Sequence, residues 1–240
     1  YCMRQNVGTY NSRELGTGAT TYGGYSTSIV TDERFTFSIP TNLDPAAAAP
    51  LLCAGITLWS PLRHWQAGPG KRIAVMGMGG LGHMGIKLAR ALGAHVTVLS
   101  HSSSKREDAL RLGAEEFVIT SDAASLKQLR GSFDLILNTV SADLDINEYL
   151  KLLRWNGTLV VLGLPGKPLV VHAGSLMDKR RTLSASGIGG LRETQEMLDF
   201  CGQHNIVSDV EIITPAGINA AWARVVASDV KYRFVIDIKA

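Results

Sequence analysis

The sequence predicts an α/β fold built on a doubly wound parallel sheet, and three observations lead there. From about residue 46 onward, short apolar runs alternate with segments of helical spacing. One run, residues 73–76, ends in glycines spaced Gly77-x-Gly79-x-x-Gly82, and a helix-like stretch follows. Strands separated by helices in this rhythm form right-handed βαβ units, so their neighbours pair in parallel.

The elements follow in order. The first fifty residues are rich in Gly, Thr and Ser, with extended runs at 25–31 and 35–39. They hold too little apolar material to fold alone, and read as the tail of a β-rich domain. Apolar residues at helical spacing predict a helix over 50–65. Strands are expected at 73–76, 95–100, 116–119, 134–140 and 158–163, where apolar or β-branched residues cluster. Helices are expected between them at 84–92, 105–112, 123–129 and 146–153. After Ser186 the character shifts to a helix over 191–204, an extended 210–214, a helix over 218–228 and a terminal strand over 233–238. There is no internal repeat or low-complexity tract.

The glycine turn points to a dinucleotide. Gly77 permits a tight turn, Gly79 lets backbone approach a pyrophosphate, and Gly82 lets the helix pack closely on the strand. Met78, Gly80 and Leu81 complete the turn, whose N–H groups face an anion at the helix N-terminus. An NAD site commonly places an acid at the end of the second strand. This chain has Ser100-His-Ser-Ser-Ser-Lys105-Arg106 there instead. Hydroxyls and a Lys suit a 2′-phosphate that a carboxylate would repel, so NADP(H) is expected over NAD(H).

Composition narrows the function classes. With 240 residues, 45% hydrophobic and 19% charged, the chain is long enough for one large domain or two small ones. A formal charge of +3 is too small to imply nucleic acid or membrane partners, and Lys179-Arg180-Arg181 is a short solvated cluster. The longest apolar stretch, 46–59, is interrupted by Pro50, Gly55 and Thr57, short of a membrane span. The cysteines Cys2, Cys53 and Cys201 are odd in number and widely spaced. They suggest no disulfide framework, and a reducing cytoplasm is expected. The chain starts at Tyr1 without an initiator Met or a targeting pattern.

Further motifs add a family resemblance. They are Gly23-Gly-Tyr-Ser26, Ala49-Pro-Leu-Leu-Cys53-Ala-Gly-Ile-Thr57, Ser60-Pro-Leu62 and His83-Met-Gly85. Ser104-Lys-Arg-Glu107, Arg192-Glu-Thr-Gln-Glu-Met-Leu198 and Val230-Lys-Tyr-Arg-Phe-Val235 continue the series in order. With these, the chain resembles the zinc-dependent medium-chain alcohol dehydrogenases, in the cinnamyl alcohol dehydrogenase-like branch. The resemblance implies a remnant of a GroES-like catalytic domain over 1–52, an NADP-binding Rossmann domain over 53–188, and a return segment over 189–240. It implies a small-molecule aldehyde or alcohol substrate reduced or oxidised by hydride transfer, with zinc as Lewis acid. It also implies a homodimer, with 182–186 as the candidate edge strand.

The same resemblance gives roles to residues. Cys53 matches one ligand of the catalytic zinc, and Cys2 the last cysteine of a structural zinc lobe. Thr57 and Thr139 fall near the nicotinamide ribose, and Gly77–Gly82 on the pyrophosphate. Ser100, His101 and Lys105 fall on the 2′-phosphate, and Gly163, Ser186, Gly187 and Ile188 along the nicotinamide. Gly8 and Gly187 stand where plant members carry bulky aromatics, which implies a wide cavity and a broad aldehyde reductase.

Other residues read as structural. His64, His95, His172 and His204 lack metal-like spacing, Cys201 sits on an amphipathic helix, and Trp155 and Trp222 read as packing anchors. No residue here replaces the family's remaining zinc ligands or proton relay. The expectation is therefore a C-terminal, inactive portion of a longer enzyme. A non-catalytic nucleotide-binding module or sensor and a zinc-free quinone or enoyl reductase are the alternatives.

Overall fold

The structure, a computed structural model, describes residues 7–239. Near its start, β1 (Tyr10–Arg13) and β2 (Thr20–Tyr22) form an antiparallel hairpin. The extended run expected at 25–31 pairs with nothing, and 35–39 begins on the end of a 3-10 turn, Glu33–Phe35. The cause is a lack of burial. Ile29 and Val30 have no apolar surface to cover them and stand exposed.

The next segment corrects the expected helix over 50–65. Asp44 caps α1 (Pro45–Ala48), accepting the Ala47 N–H at 3.1 Å, and a Pro sits in the first turn. A 3-10 turn, Ala49–Leu52, follows, and α2 (Ala54–His64) restarts after Cys53. Pro50 has no N–H to continue a ladder. The Cys53 N–H instead reaches back three residues to the Pro50 carbonyl, and Cys53 adopts φ −125°, ψ −71°. The break presents Cys53 at a helix junction.

The central sheet then forms as the alternation predicts. Its elements are β3 (Arg72–Met76), α3 (Gly82–Ala91), β4 (His95–Ser100), α4 (Arg106–Arg111) and β5 (Glu116–Ile119). There follow α5 (Ala123–Gln128), β6 (Phe133–Asn138), α6 (Ile146–Leu150), β7 (Leu153–Val161), α7 (Ala173–Met177) and β8 (Thr182–Ala185). All pairings are parallel in the order β5-β4-β3-β6-β7-β8. The order reverses between β3 and β6, which makes their carboxyl ends the place where a ligand fits.

Alternate side chains along each strand enter two separate cores. Ile73, Val75, Val96 and Leu135 pack with α2, α3 and α8 residues such as Leu58, Ile86 and Met197. Ala74, Met76, Ile136 and Leu159 pack on the other face with Ile146 and Leu150 of α6. Both faces of a parallel sheet are thus covered.

Two packing expectations fail here. The helix expected to run to 153 ends at Leu150, because Leu153 already pairs with Phe133 in the sheet. Residues 154–157 then bulge opposite the single residue Asp134 before the register resumes at Thr158–Leu135. Trp155 rides on that bulge and is 65% exposed, as is Trp222 on a later helix. Neither is a packing anchor.

The return segment comprises α8 (Leu191–His204), β9 (Val210–Ile213), α9 (Ile218–Val226) and β10 (Arg233–Ile236). The two strands pair in parallel as a separate small sheet. Cys201 faces inward from α8, 3.6 Å from the Met197 sulfur, and burial pushes its thiol up to about 12. His64, His172 and His204 are exposed, and His95 is half-buried. Among the described residues, no single helix is long and apolar enough to cross a membrane.

Candidate functional site

A cleft of about 760 Å³ opens at the switch point. On one wall stand Gly77, Gly79, Gly80, Leu81, Lys105 and Thr139, and Cys53 reaches its rim. The opposite wall comes from β9, α9 and β10, including Trp222 and Arg233.

The glycines show why the turn must be glycine. Gly77 has φ +82°, and a Cβ there would meet Val140 Cγ2 at 2.9 Å. A Cβ on Gly82 would stand 2.0 Å from the Gly77 carbonyl oxygen, so the helix packs on the turn only without one. Gly79 has nothing within 4 Å of its Cβ position, which leaves room for a ligand beside bare backbone. Helix α3 opens there with no side-chain cap. The unpaired N–H groups of a helix's first turn attract anions.

The floor is formed by the end of β6. Thr139 Oγ1 donates to the Met76 carbonyl at 2.7 Å, tying β6 to β3 beneath the turn. Gly163 follows β7, and a Cβ there would come within 2.2 Å of the Val140 carbonyl oxygen. Its N–H bonds the Asn138 carbonyl at 3.0 Å.

The end of β4 carries no acid. Ser100 is buried, donating from Oγ to the Ser102 carbonyl at 3.2 Å, and His101 is exposed. Lys105 Nζ donates to the Met78 carbonyl at 3.0 Å, which brings a cation against the glycine turn. Lys105 thus lines the cleft, whereas Ser100 and His101 lie outside its wall.

Several expected residues fall outside the cleft wall. Thr57 is buried in α2, its N–H bonded to the Cys53 carbonyl at 3.1 Å. Ser186, Gly187 and Ile188 follow β8, with Ile188 exposed at φ +46°. Gly8 and Gly187 do not line the cleft. Cys2 lies outside the described residues.

Arg233 is the residue that sequence reasoning missed. Its guanidinium covers Gly80, so closely that a Cβ at 80 would meet Nε at 2.3 Å. That Nε is buried and has no hydrogen-bond partner. A buried guanidinium N–H without a protein acceptor, beside a helix N-terminus, suits an anion. The motif Val230–Val235 was visible, but its contact with the turn was not.

The residues present therefore fit a dinucleotide's diphosphate. They do not fit a zinc ion in the same way. Cys53 is exposed at the rim, and the described residues contain no group of three His, Cys, Asp or Glu able to hold a metal. One thiolate is not a zinc site.

A glycine turn over the switch point of a parallel sheet defines the dinucleotide-binding class of doubly wound proteins. The chain belongs to the zinc-binding dehydrogenase family, whose model matches residues 80–203. It is 60% identical over 238 residues to NADP-dependent alcohol dehydrogenase C 1 of Mycolicibacterium smegmatis, covering 99% of this chain and 68% of that protein. Its fold matches cinnamyl alcohol dehydrogenase SbCAD4 of Sorghum bicolor with a TM-score of 0.95 at 41% identity, over 98% of this chain and 67% of that one. The cinnamyl alcohol dehydrogenase of Helicobacter pylori, solved with NADP(H), matches at 0.89 and 37% identity, over 96% and 66%.

Proposed function

We propose that this protein is an NADP(H)-dependent alcohol dehydrogenase or aldehyde reductase, interconverting primary alcohols and aldehydes. The observation that carries the cofactor choice is the end of β4, where Lys105 meets the glycine turn and no carboxylate stands. NADP(H), when bound, supplies or accepts the hydride.

The chain's own residues hold and orient it. Ser100, His101 and Lys105 take the 2′-phosphate. The backbone of Gly77, Met78, Gly79, Gly80, Leu81 and Gly82 takes the diphosphate on one side, with Arg233 on the other. Thr139 lines the cleft toward the nicotinamide, with Gly163 packed behind it against Val140. Cys53 offers one sulfur at the cleft, and the described residues complete no metal site around it.

The edge strand β8, which among the described residues pairs only with β7, supports a homodimer formed along that edge. The two free thiols Cys53 and Cys201 support a reducing cytoplasm.

The test is a fluorescence titration with NADPH and NADH, followed by turnover with cinnamaldehyde. Tighter binding of NADPH by roughly tenfold or more supports the proposal. Equal binding of both, or of neither, sinks it.

A further inference from the structure

Helix α3 contains a buried histidine with a partner at each ring nitrogen. His83 is fully buried in the first turn of α3. Its Nδ1 lies 3.2 Å from the Gly79 carbonyl oxygen, and its Nε2 lies 3.0 Å from Ser208 Oγ. A carbonyl can only accept, so Nδ1 carries the proton, and Nε2 faces the Ser208 hydroxyl, whose Oγ also lies 3.3 Å from the Asp209 carbonyl oxygen. The imidazole ring stacks on Tyr232, with centroids 4.9 Å apart and 16° between planes. Tyr232 is the residue before Arg233.

These contacts join two parts of the chain that hold the same ligand group. The Gly79 carbonyl receives both the His83 N–H, at 3.1 Å, and Nδ1. Two donors pull that carbonyl toward the helix, which turns the following amides toward the cleft. One turn along α3, Lys87 donates to the Val207 carbonyl at 2.7 Å and to Asp209 at 2.5 Å. The segment 207–209 is thus clamped to α3, and the Tyr232 N–H bonds the Asp209 carbonyl at 3.0 Å. Among these contacts, the imidazole alone touches the glycine turn, the Ser208 segment and the strand leading to Arg233.

We infer that His83 is a positioning residue for the cofactor's diphosphate. As a neutral imidazole it fixes the glycine turn against the return segment, and so sets the gap between the turn amides and the Arg233 guanidinium. The inference rests on the proposed dinucleotide site. It assigns His83 no contact with substrate or cofactor.

The experiment compares two ligands on the same protein. NADPH spans the diphosphate, whereas adenosine 2′-monophosphate has the 2′-phosphate and adenosine but no diphosphate. His83→Leu is expected to weaken NADPH roughly tenfold while leaving the monophosphate within about twofold. His83→Asn, whose amide can donate toward the Gly79 carbonyl, is expected to recover most of that loss. Ser208→Ala removes the Nε2 partner, together with the hydroxyl's contact with the Asp209 carbonyl, and is expected to weaken NADPH a few-fold by the same selective pattern. It serves as the test if His83→Leu does not fold. Equal loss for both ligands would assign His83 to general packing and overturn the inference, as would no loss for either. Failure of the unmodified protein to bind NADPH overturns the dinucleotide reading itself, and this inference with it.

Discussion

Gly82 and Gly77 touch through backbone alone: the pro-Cβ position of Gly82 lies 2.0 Å from the Gly77 carbonyl oxygen. Helix α3 therefore starts directly on the turn that ends β3. Gly82→Ala must push the two apart, and neither atom belongs to a side chain that can swing away. The expected result is a loss of about 2–3 kcal/mol in stability together with weakened NADPH binding, read by chemical denaturation and titration. Wild-type stability in this variant would mean that the turn and helix are not in contact.

Arg233 over Gly80 leads to a second prediction. Its unpaired Nε stands above the helix N-terminus, so its energetic contribution is expected when an anion arrives. Charge-assisted hydrogen bonds contribute about 1.5–3 kcal/mol. Arg233→Gln should weaken NADPH by roughly tenfold to a hundredfold. It should also flatten the dependence of the dissociation constant on salt. Unchanged affinity at low salt would exclude Arg233 from the anion site.

Cofactor choice should depend on Lys105. Its ammonium group lies 3.0 Å from the Met78 carbonyl and lines the cleft. Lys105→Glu places a carboxylate where the 2′-phosphate is expected. NADPH binding should fall by roughly a hundredfold while NADH changes far less. A parallel loss for both cofactors would put the 2′-phosphate elsewhere.

His83 should make stability depend on pH. Burial, the largest cause, pushes its pKa from an ordinary 6.5 down to about 4. The Gly79 carbonyl and Asp209 oppose that shift, and the charges of Lys87 and Arg233 assist it. Between pH 4 and 6.5 the unfolded chain binds a proton at this residue that the folded chain does not. Stability is therefore complete above 6.5 and falls by about 3 kcal/mol as pH drops toward 4. His83→Gln should remove that slope in denaturation curves taken at successive pH values. An unaltered slope would assign the acid sensitivity to other groups.

A buried neutral clamp also limits the useful pH range of the site. Asp209 faces the same cluster, and its carboxyl is raised by burial but lowered further by hydrogen bonds from Lys87 and Arg111. It stays ionised through the range in which His83 begins to charge. The clamp should hold throughout neutral pH, so His83→Leu should weaken NADPH by the same factor at pH 6.5 and at pH 8, read by titration at each.

The sequence by itself determined the parallel sheet and its glycine turn. Those signals are local: apolar runs of strand length, helical spacing between them, and three glycines at a spacing that one turn needs. The strand β5 was legible to the residue, and β4 likewise, because turn residues bound each run on both sides. The helix over 50–65 was not, since the reset at Cys53 depends on how Pro50 seats the segment against the core.

Tertiary structure alone decided which distant residues meet. Trp155 and Trp222 looked like core residues by type, yet a bulge exposes the first and the second stands at the open cleft. Arg233 covers Gly80 although 153 positions separate them, and His83 reaches Ser208 across 125. Strand and helix periodicity record which face a side chain takes within its own element. They hold no information on which element from elsewhere in the chain will pack on that face, because that depends on the sum of all the contacts made when the sheet and return segment close together.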